Sequence, residues 1–329
     1  MIASPAMVQL LRGFLNETIR MALASKLVLF WLATSASILL VCSTVRLENV
    51  PSVQESVNQQ RIPREEARRV GDFETQADGT PVIDGQIKIL FGTIRIPWSH
   101  FRGKAALFLE SLLGFFLADW AGLLLAIVFT GGLLPEFLRA DWWNLLRLHQ
   151  KSTALMLVMK TISILLLSLG FASLTTGICW LALNLGTGTW HPQFLWSIPM
   201  LCAQLMVFYP ISVFLAIWTR STPVAITGTI AFWGLCWLMN HARMTFALPD
   251  TVTSGSVVEV FYWLLPKPID FSLIMADLTE TLQEKDLPHA WKSAWQKGWI
   301  QPLASLTTSL LFSVLTMAAA CHELRSDEN

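Results

Sequence analysis

The chain has 329 residues, 53% of them hydrophobic and 14% charged, a balance that excludes an ordinary soluble globular protein and points to a polytopic membrane protein. Its 23 Lys and Arg cancel its 23 Asp and Glu, so no overall charge attracts nucleic acid, and no nucleic-acid partner is expected. The five cysteines, Cys42, Cys179, Cys202, Cys236 and Cys321, all fall inside apolar runs; they read as small buried apolar residues, and suggest neither a disulfide framework nor a metal site.

The first element is an amphipathic helix within residues 1–26. Met7, Leu10, Leu11, Phe14, Leu15 and Ile19 recur on one side and Arg12, Asn16, Glu17 and Arg20 on the other, the pattern of a helix lying in a membrane interface. Its charges interrupt any short apolar core, which argues against a cleaved signal peptide. Residues 27–45 are nearly free of charge and, at about 1.5 Å per residue, long enough for a first crossing.

Residues 46–104 form the main hydrophilic insertion. The cluster Arg64, Glu65, Glu66, Arg68 and Arg69 reads as a solvated helix face. Asp78-Gly79 and Asp84-Gly85 are turn signals, and the runs IKIL and TIRI, split by Gly92, read as short strands. A small α+β lobe or hairpin outside the membrane is expected.

Residues 105–134 read as the second crossing, with Asp119 in its middle. A charge at mid-helix costs about 2.5 to 3.5 kcal/mol on insertion scales. Each central Leu, Ile, Phe or Val returns about 0.3 to 0.6 kcal/mol, and the segment holds more than a dozen, so the crossing survives. An intramembrane carboxylate either lines a translocation path or proton site, or accepts a structural hydrogen bond from a neighbouring helix.

The stretch from Thr130 to Lys160 joins this crossing to the next. Gly131 and Gly132 loosen the end of the apolar run, and Pro135 suits a first helical turn because it has no amide hydrogen to satisfy. Leu134, Phe137, Leu138, Trp142, Leu145 and Leu146 then recur at helical spacing, with Glu136, Arg139, Asp141, Asn144, Arg147 and Lys151 on the other faces. Residues 135–153 therefore read as a helix on the membrane surface, either an anchor or a docking surface for a cytosolic partner.

Residues 154–183 and 194–218 are the third and fourth crossings, joined by GTGTWHPQ, which has no Lys or Arg. WTRSTP then leads into a fifth at 224–241. Residues 242–301 are mostly polar, and 302–321 are the sixth crossing before a tail at 322–329. Trp291, Trp295 and Trp299 would form one helical stripe beside Lys292 and Lys297, either resting on the membrane surface or offering an aromatic platform.

Basic residues in the short connections, from Arg12, Arg20 and Lys26 through Arg139, Arg147 and Lys151 to Arg220 and Arg325, all fall on one side of a six-span arrangement. By the positive-inside rule both termini are expected in the cytoplasm, with the 135–153 helix, and the two long insertions outside.

No catalytic constellation stands out. His100, His149, His191, His241, His289 and His322 are dispersed, no H-E-x-x-H pair occurs, and no G-x-x-x-x-G-K-[ST] loop is present to hold a nucleotide. A membrane-embedded enzyme or a membrane scaffold that transports nothing are the competing classes.

With these residues in view, the chain resembles the permease subunits of type-2 ATP-binding-cassette transporters. T-G-G-L-L-P-E-F-L at Thr130 to Leu138, Leu145-Leu146 and Lys160 look like that family's cytoplasmic joint. Thr219-Arg220-Ser221-Thr222 matches its threonine-arginine-serine turn, and Leu265-Pro266-Lys267 matches a Leu-Pro-Lys found in many members. Where the family usually has Lys-Pro, a small residue and Arg, this chain has Arg147-Leu148-His149-Gln150-Lys151-Ser152. The resemblance implies an inner-membrane subunit of six helices, docked on a separate cytosolic ATPase that uses the ATP, and paired with a second permease chain as a homo- or heterodimer. It makes Pro135, Glu136, Arg139, Arg147 and Lys151 the coupling surface and Arg220 an orienting residue of the second cytoplasmic turn. It implies export, no catalytic residue and no bound cofactor, with Asp119 a candidate translocation-path residue.

Overall fold

The computed structural model describes residues 5–48, 85–98, 102–117, 119–139, 152–246, 255–279 and 301–326. Helices α1 (Pro5–Ala24) and α2 (Lys26–Ser43) are followed by strands β1 (Arg46–Glu48), β2 (Gly85–Ile89) and β3 (Ile94–Trp98). Next come α3 (Arg102–Leu117), α4 (Trp120–Gly131), α5 (Leu133–Arg139) and the long α6 (Thr153–Thr187). A short 3-10 turn, Pro192–Trp196, enters α7 (Ser197–Thr219), and α8 (Thr222–Phe246), α9 (Gly255–Leu264), α10 (Pro268–Leu278) and α11 (Pro302–Ser326) complete the described chain.

Five helical stretches among the described residues are long and apolar enough to cross a membrane: Trp120–Leu138, Thr153–Thr187, Pro192–Thr219, Thr222–Arg243 and Pro302–Ser326. A sixth arises when α1 and α2, bent by 77°, count as one broken crossing. Ser25 makes that bend, its backbone extended (φ −83, ψ 142) between two helices. The chain thus has the make-up of a helical polytopic membrane protein with a small sheet.

Helix α7 is the hub, packing on α4, α6, α8 and α11. Its interior Pro210 has no N–H to give the carbonyl one turn back, at Met206. The Ser313 hydroxyl of α11 donates to that carbonyl instead, at 2.8 Å, so the central helix is stitched to the last one where its own ladder is broken.

Helices α2 and α6 lie side by side and run the same way. Trp31 stacks at 4.5 Å on Phe171, and Ser35 Oγ lies 3.2 Å from Thr175 Oγ1, both pairs 140 residues apart. At the far end Gly186 is pressed against the Val45 carbonyl, where an added Cβ would come within 2.8 Å.

The three strands pair antiparallel in the order β1-β2-β3, with Leu47 opposite Ile87 and Ile87 opposite Ile96. Leu90 and Phe91 take left-handed φ values of 52 and 56, and Gly92 a φ of 89, which closes the hairpin. Leu90 N–H donates to Thr44 Oγ1 at 3.0 Å, tying the hairpin to the end of α2. Ile87 and Ile89 pack with Cys42, Leu109 and Leu183 into a second core, separate from the one around α7.

The expected crossing at 105–134 is two helices. The chain breaks between Leu117 and Trp120, so Asp119 stands at a helix junction and not inside a continuous span. Gly122 permits the break: a Cβ there would lie 2.0 Å from the Leu117 carbonyl oxygen. The segment read as mostly polar, 242–301, contains α9 and the largely buried α10. The charge cluster at 64–69, most of the 135–153 helix and the Trp291 stripe lie outside the described residues.

Candidate functional site

The joint between α5 and α6 is built around one lysine. α5 starts directly after Gly132, has buried Pro135 near its start, and carries Glu136 in its first turn, where a carboxylate complements the N-terminal helix dipole. Glu136 is exposed, while Leu133, Leu134 and Phe137 are buried. Two turns into α6, Lys160 is wholly buried, and its ammonium lies 3.3 Å from Glu17 Oε2, 3.5 Å from Met21 Sδ and 4.5 Å above the Phe137 ring. Glu136 adds to the negative field on it. Phe14 meets Phe137 edge-on at 6.0 Å. One side chain therefore binds the amphipathic helix, the short helix and the base of the longest helix together.

Of the sequence-predicted coupling residues, Pro135, Glu136 and Arg139 fall in α5. Arg220 caps α7 in the left-handed conformation (φ 52), where its backbone N–H donates to Ala216 at 2.9 Å. Arg147 and Lys151 lie outside the described residues.

Asp119 stands at the start of α4, the end away from that joint. Its Oδ1 accepts a 2.5 Å hydrogen bond from Ser272 of α10, and its N–H donates to the Gly114 carbonyl at 3.0 Å. It lines a cavity of about 640 Å³ walled by α3, the start of α4, α8, α10 and the 3-10 turn. Glu110 of α3 lines the same cavity. It is 1% exposed, and neither carboxylate oxygen has a hydrogen-bond partner among the described residues. His191 Nδ1 lies 3.5 Å from Glu110 Oε2 without a hydrogen bond forming. Sequence reading singled out Asp119 and passed over Glu110, although a lone carboxylate in an apolar run was the signal in both cases.

A third polar group, also missed, ties α8 to α9. Arg243 at the end of α8 forks onto Glu259 of α9, with Nε to Oε2 at 2.8 Å and Nη2 to Oε1 at 3.0 Å, and its guanidinium lies 3.7 Å from the centre of the Tyr262 ring. Trp263 Nε1 also donates to Glu259, at 2.7 Å. Burial opposes ionisation of Glu259, but the Arg243 fork, with the Trp263 hydrogen bond and the Lys267 charge, holds the carboxyl below its ordinary range.

Beneath this pair, Lys267 donates to Thr308 Oγ1 at 2.6 Å, and burial pushes its ammonium down to about 8. Asp270, fully buried, accepts from Tyr262 and, at 2.5 Å, from Ser305, while burial pushes its carboxyl up. Lys267 of Leu265-Pro266-Lys267 and Asp270 in the first turn of α10 thus make interior contacts joining α9, α10 and α11.

No protein-family model, curated protein or solved structure matches the chain.

Proposed function

We propose that the chain is the membrane-spanning permease subunit of a type-2 ATP-binding-cassette exporter, with ATP hydrolysed by a separate cytosolic subunit. The observation that carries this reading is the buried Lys160 joint. A short helix with an exposed acidic residue, Glu136, has its apolar face locked by Phe137 and Lys160 to the base of a 35-residue helix. A push on that short helix is delivered directly to a crossing, as force transfer from an external motor requires. Asp119, in a cavity at the end of α4 away from that joint, suits a translocation path.

In this reading both termini and the joint face the cytoplasm of a cell whose inner membrane holds the protein, and the β-sheet lobe faces outward. Two such chains, identical or different, pair across the membrane. Pro135, Glu136, Arg139, Arg147, Lys151 and Arg220 belong to the ATPase contact.

The test is affinity capture of the tagged chain from native membranes. An ATP-binding-cassette ATPase is expected in the captured complex, and Arg139→Glu with Arg147→Glu is expected to release it, or to uncouple its hydrolysis from transport, without loss of membrane insertion. Capture with no ATPase, or coupling unchanged in the double variant, sinks the reading.

A further inference from the structure

We infer that the cavity between α3, α4, α8 and α10 binds an amphipathic organic cation, with Glu110 and Asp119 as counter-charges and Trp120, Trp233 and Trp237 as aromatic walls. As the cargo site of an exporter this rests on the permease reading; as a binding site it stands without it.

Glu110 is the least satisfied charged group on the cavity wall. A carboxylate 1% exposed, with neither oxygen hydrogen-bonded among the described residues and only the His191 imidazole within 3.5 Å, is costly to ionise, because burial strips its water and no hydrogen bond replaces it. Asp119, by contrast, accepts from Ser272 and has the Trp120 backbone N–H and the Gln204 side chain close by. Both side chains border one space, so a positive group placed there would offset two desolvated acids at once.

The other walls agree with a cation that carries apolar bulk. Three tryptophans and Phe194 line the space, and indole faces attract cations through the ring quadrupole. Trp233 Nε1 and Ser197 Oγ are buried without partners among the described residues, leaving directional groups for a ligand's polar atoms. A volume of about 640 Å³ lies in the range of small-molecule sites and exceeds what a bare ion needs. Among the described residues no three His, Cys, Asp or Glu side chains converge, so an inorganic cation would lack a donor set there.

The nearby basic residues are turned to other work. Lys267 is bonded to Thr308, Arg243 to Glu259, His191 stands against Glu110 and His241 is stacked on one face of Trp237 at 5.3 Å, and none of the four lines the cavity. An anionic ligand would therefore face two acids with no compensating base in the walls.

The probe pair is tetraphenylphosphonium and tetraphenylborate, equal in shape and opposite in charge. Their binding to the purified full chain in lipid nanodiscs is followed by tryptophan fluorescence and equilibrium dialysis against empty nanodiscs. The phosphonium is expected to bind saturably and the borate not to. Glu110→Gln, which keeps the side chain's shape, is expected to weaken phosphonium binding by about tenfold or more, and Asp119→Asn to weaken it in the same sense. Equal binding of both probes, or no saturable phosphonium binding, overturns the proposal in the wild type alone, whatever the variants do. Unchanged affinity in a folded Glu110→Gln protein also overturns it. Selective binding by a chain that captures no ATPase would uphold the site and sink the permease reading; ATPase capture without selective binding would do the reverse.

Discussion

Lys160 Nζ lies 3.3 Å from Glu17 Oε2, across 143 residues of sequence, with the lysine side chain wholly out of solvent. Removing the acid strands a buried positive charge. Glu17→Gln is expected to destabilise the protein by about 3 kcal/mol, whereas Lys160→Met combined with Glu17→Gln recovers most of that loss. A double-mutant cycle on thermal unfolding in detergent measures it, and additive effects of the two changes would show that the pair does not hold α1 to α6.

Gly122→Ala puts a methyl group 2.0 Å from the Leu117 carbonyl oxygen, in backbone that cannot step aside without moving α3. The expected loss is about 3 kcal/mol. Gly170→Ala in α6 meets nothing within 4 Å and is expected to be neutral or to stabilise by about 0.5 to 1 kcal/mol. Equal melting temperatures for the two alanine variants would refute the tight turn.

Ser313→Ala leaves the part-buried Met206 carbonyl beside a proline that cannot serve it, at an expected cost of about 1 kcal/mol. Pro210→Ala restores a backbone donor to the same carbonyl. The serine change is therefore expected to cost less in a Pro210→Ala background, and an identical cost in both backgrounds would count against the stitch between α7 and α11.

The Arg243 fork lowers the Glu259 carboxyl below its ordinary 4.5. A depressed carboxylate contributes stability that is complete above the unfolded value and disappears as pH falls through the folded one. The stability gap between wild type and Glu259→Gln is thus expected to be constant from pH 7 to about 5 and to close below about 4.5. A gap that widens on acidification would reverse the assignment.

Much of the fold was legible because apolar runs are self-announcing. The runs gave the long helices, and the strands around Gly92 followed from alternation and turn chemistry. The break at Asp119 was not legible: hydropathy averages over it, and the permissive residue, Gly122, looks like any helical glycine until Leu117 is seen above it. The interior roles of Lys267 and Asp270, in a segment read only as mostly polar, were hidden because their partners, Thr308 and Ser305, lie 41 and 35 residues away. Lys160 was noticed as a motif letter, but only tertiary packing could name Glu17 as its mate.

Helix α6 spans about 52 Å, 35 residues at about 1.5 Å each, against a hydrocarbon layer of about 30 Å. With α2 strapped alongside it in fixed register, the two behave as a single long lever arm. A rocking of about 5° at the Lys160 end sweeps the Gly186 end through about 3 to 4 Å, carrying the attached sheet with it. Small strokes on one side of the bilayer would be read as large displacements on the other.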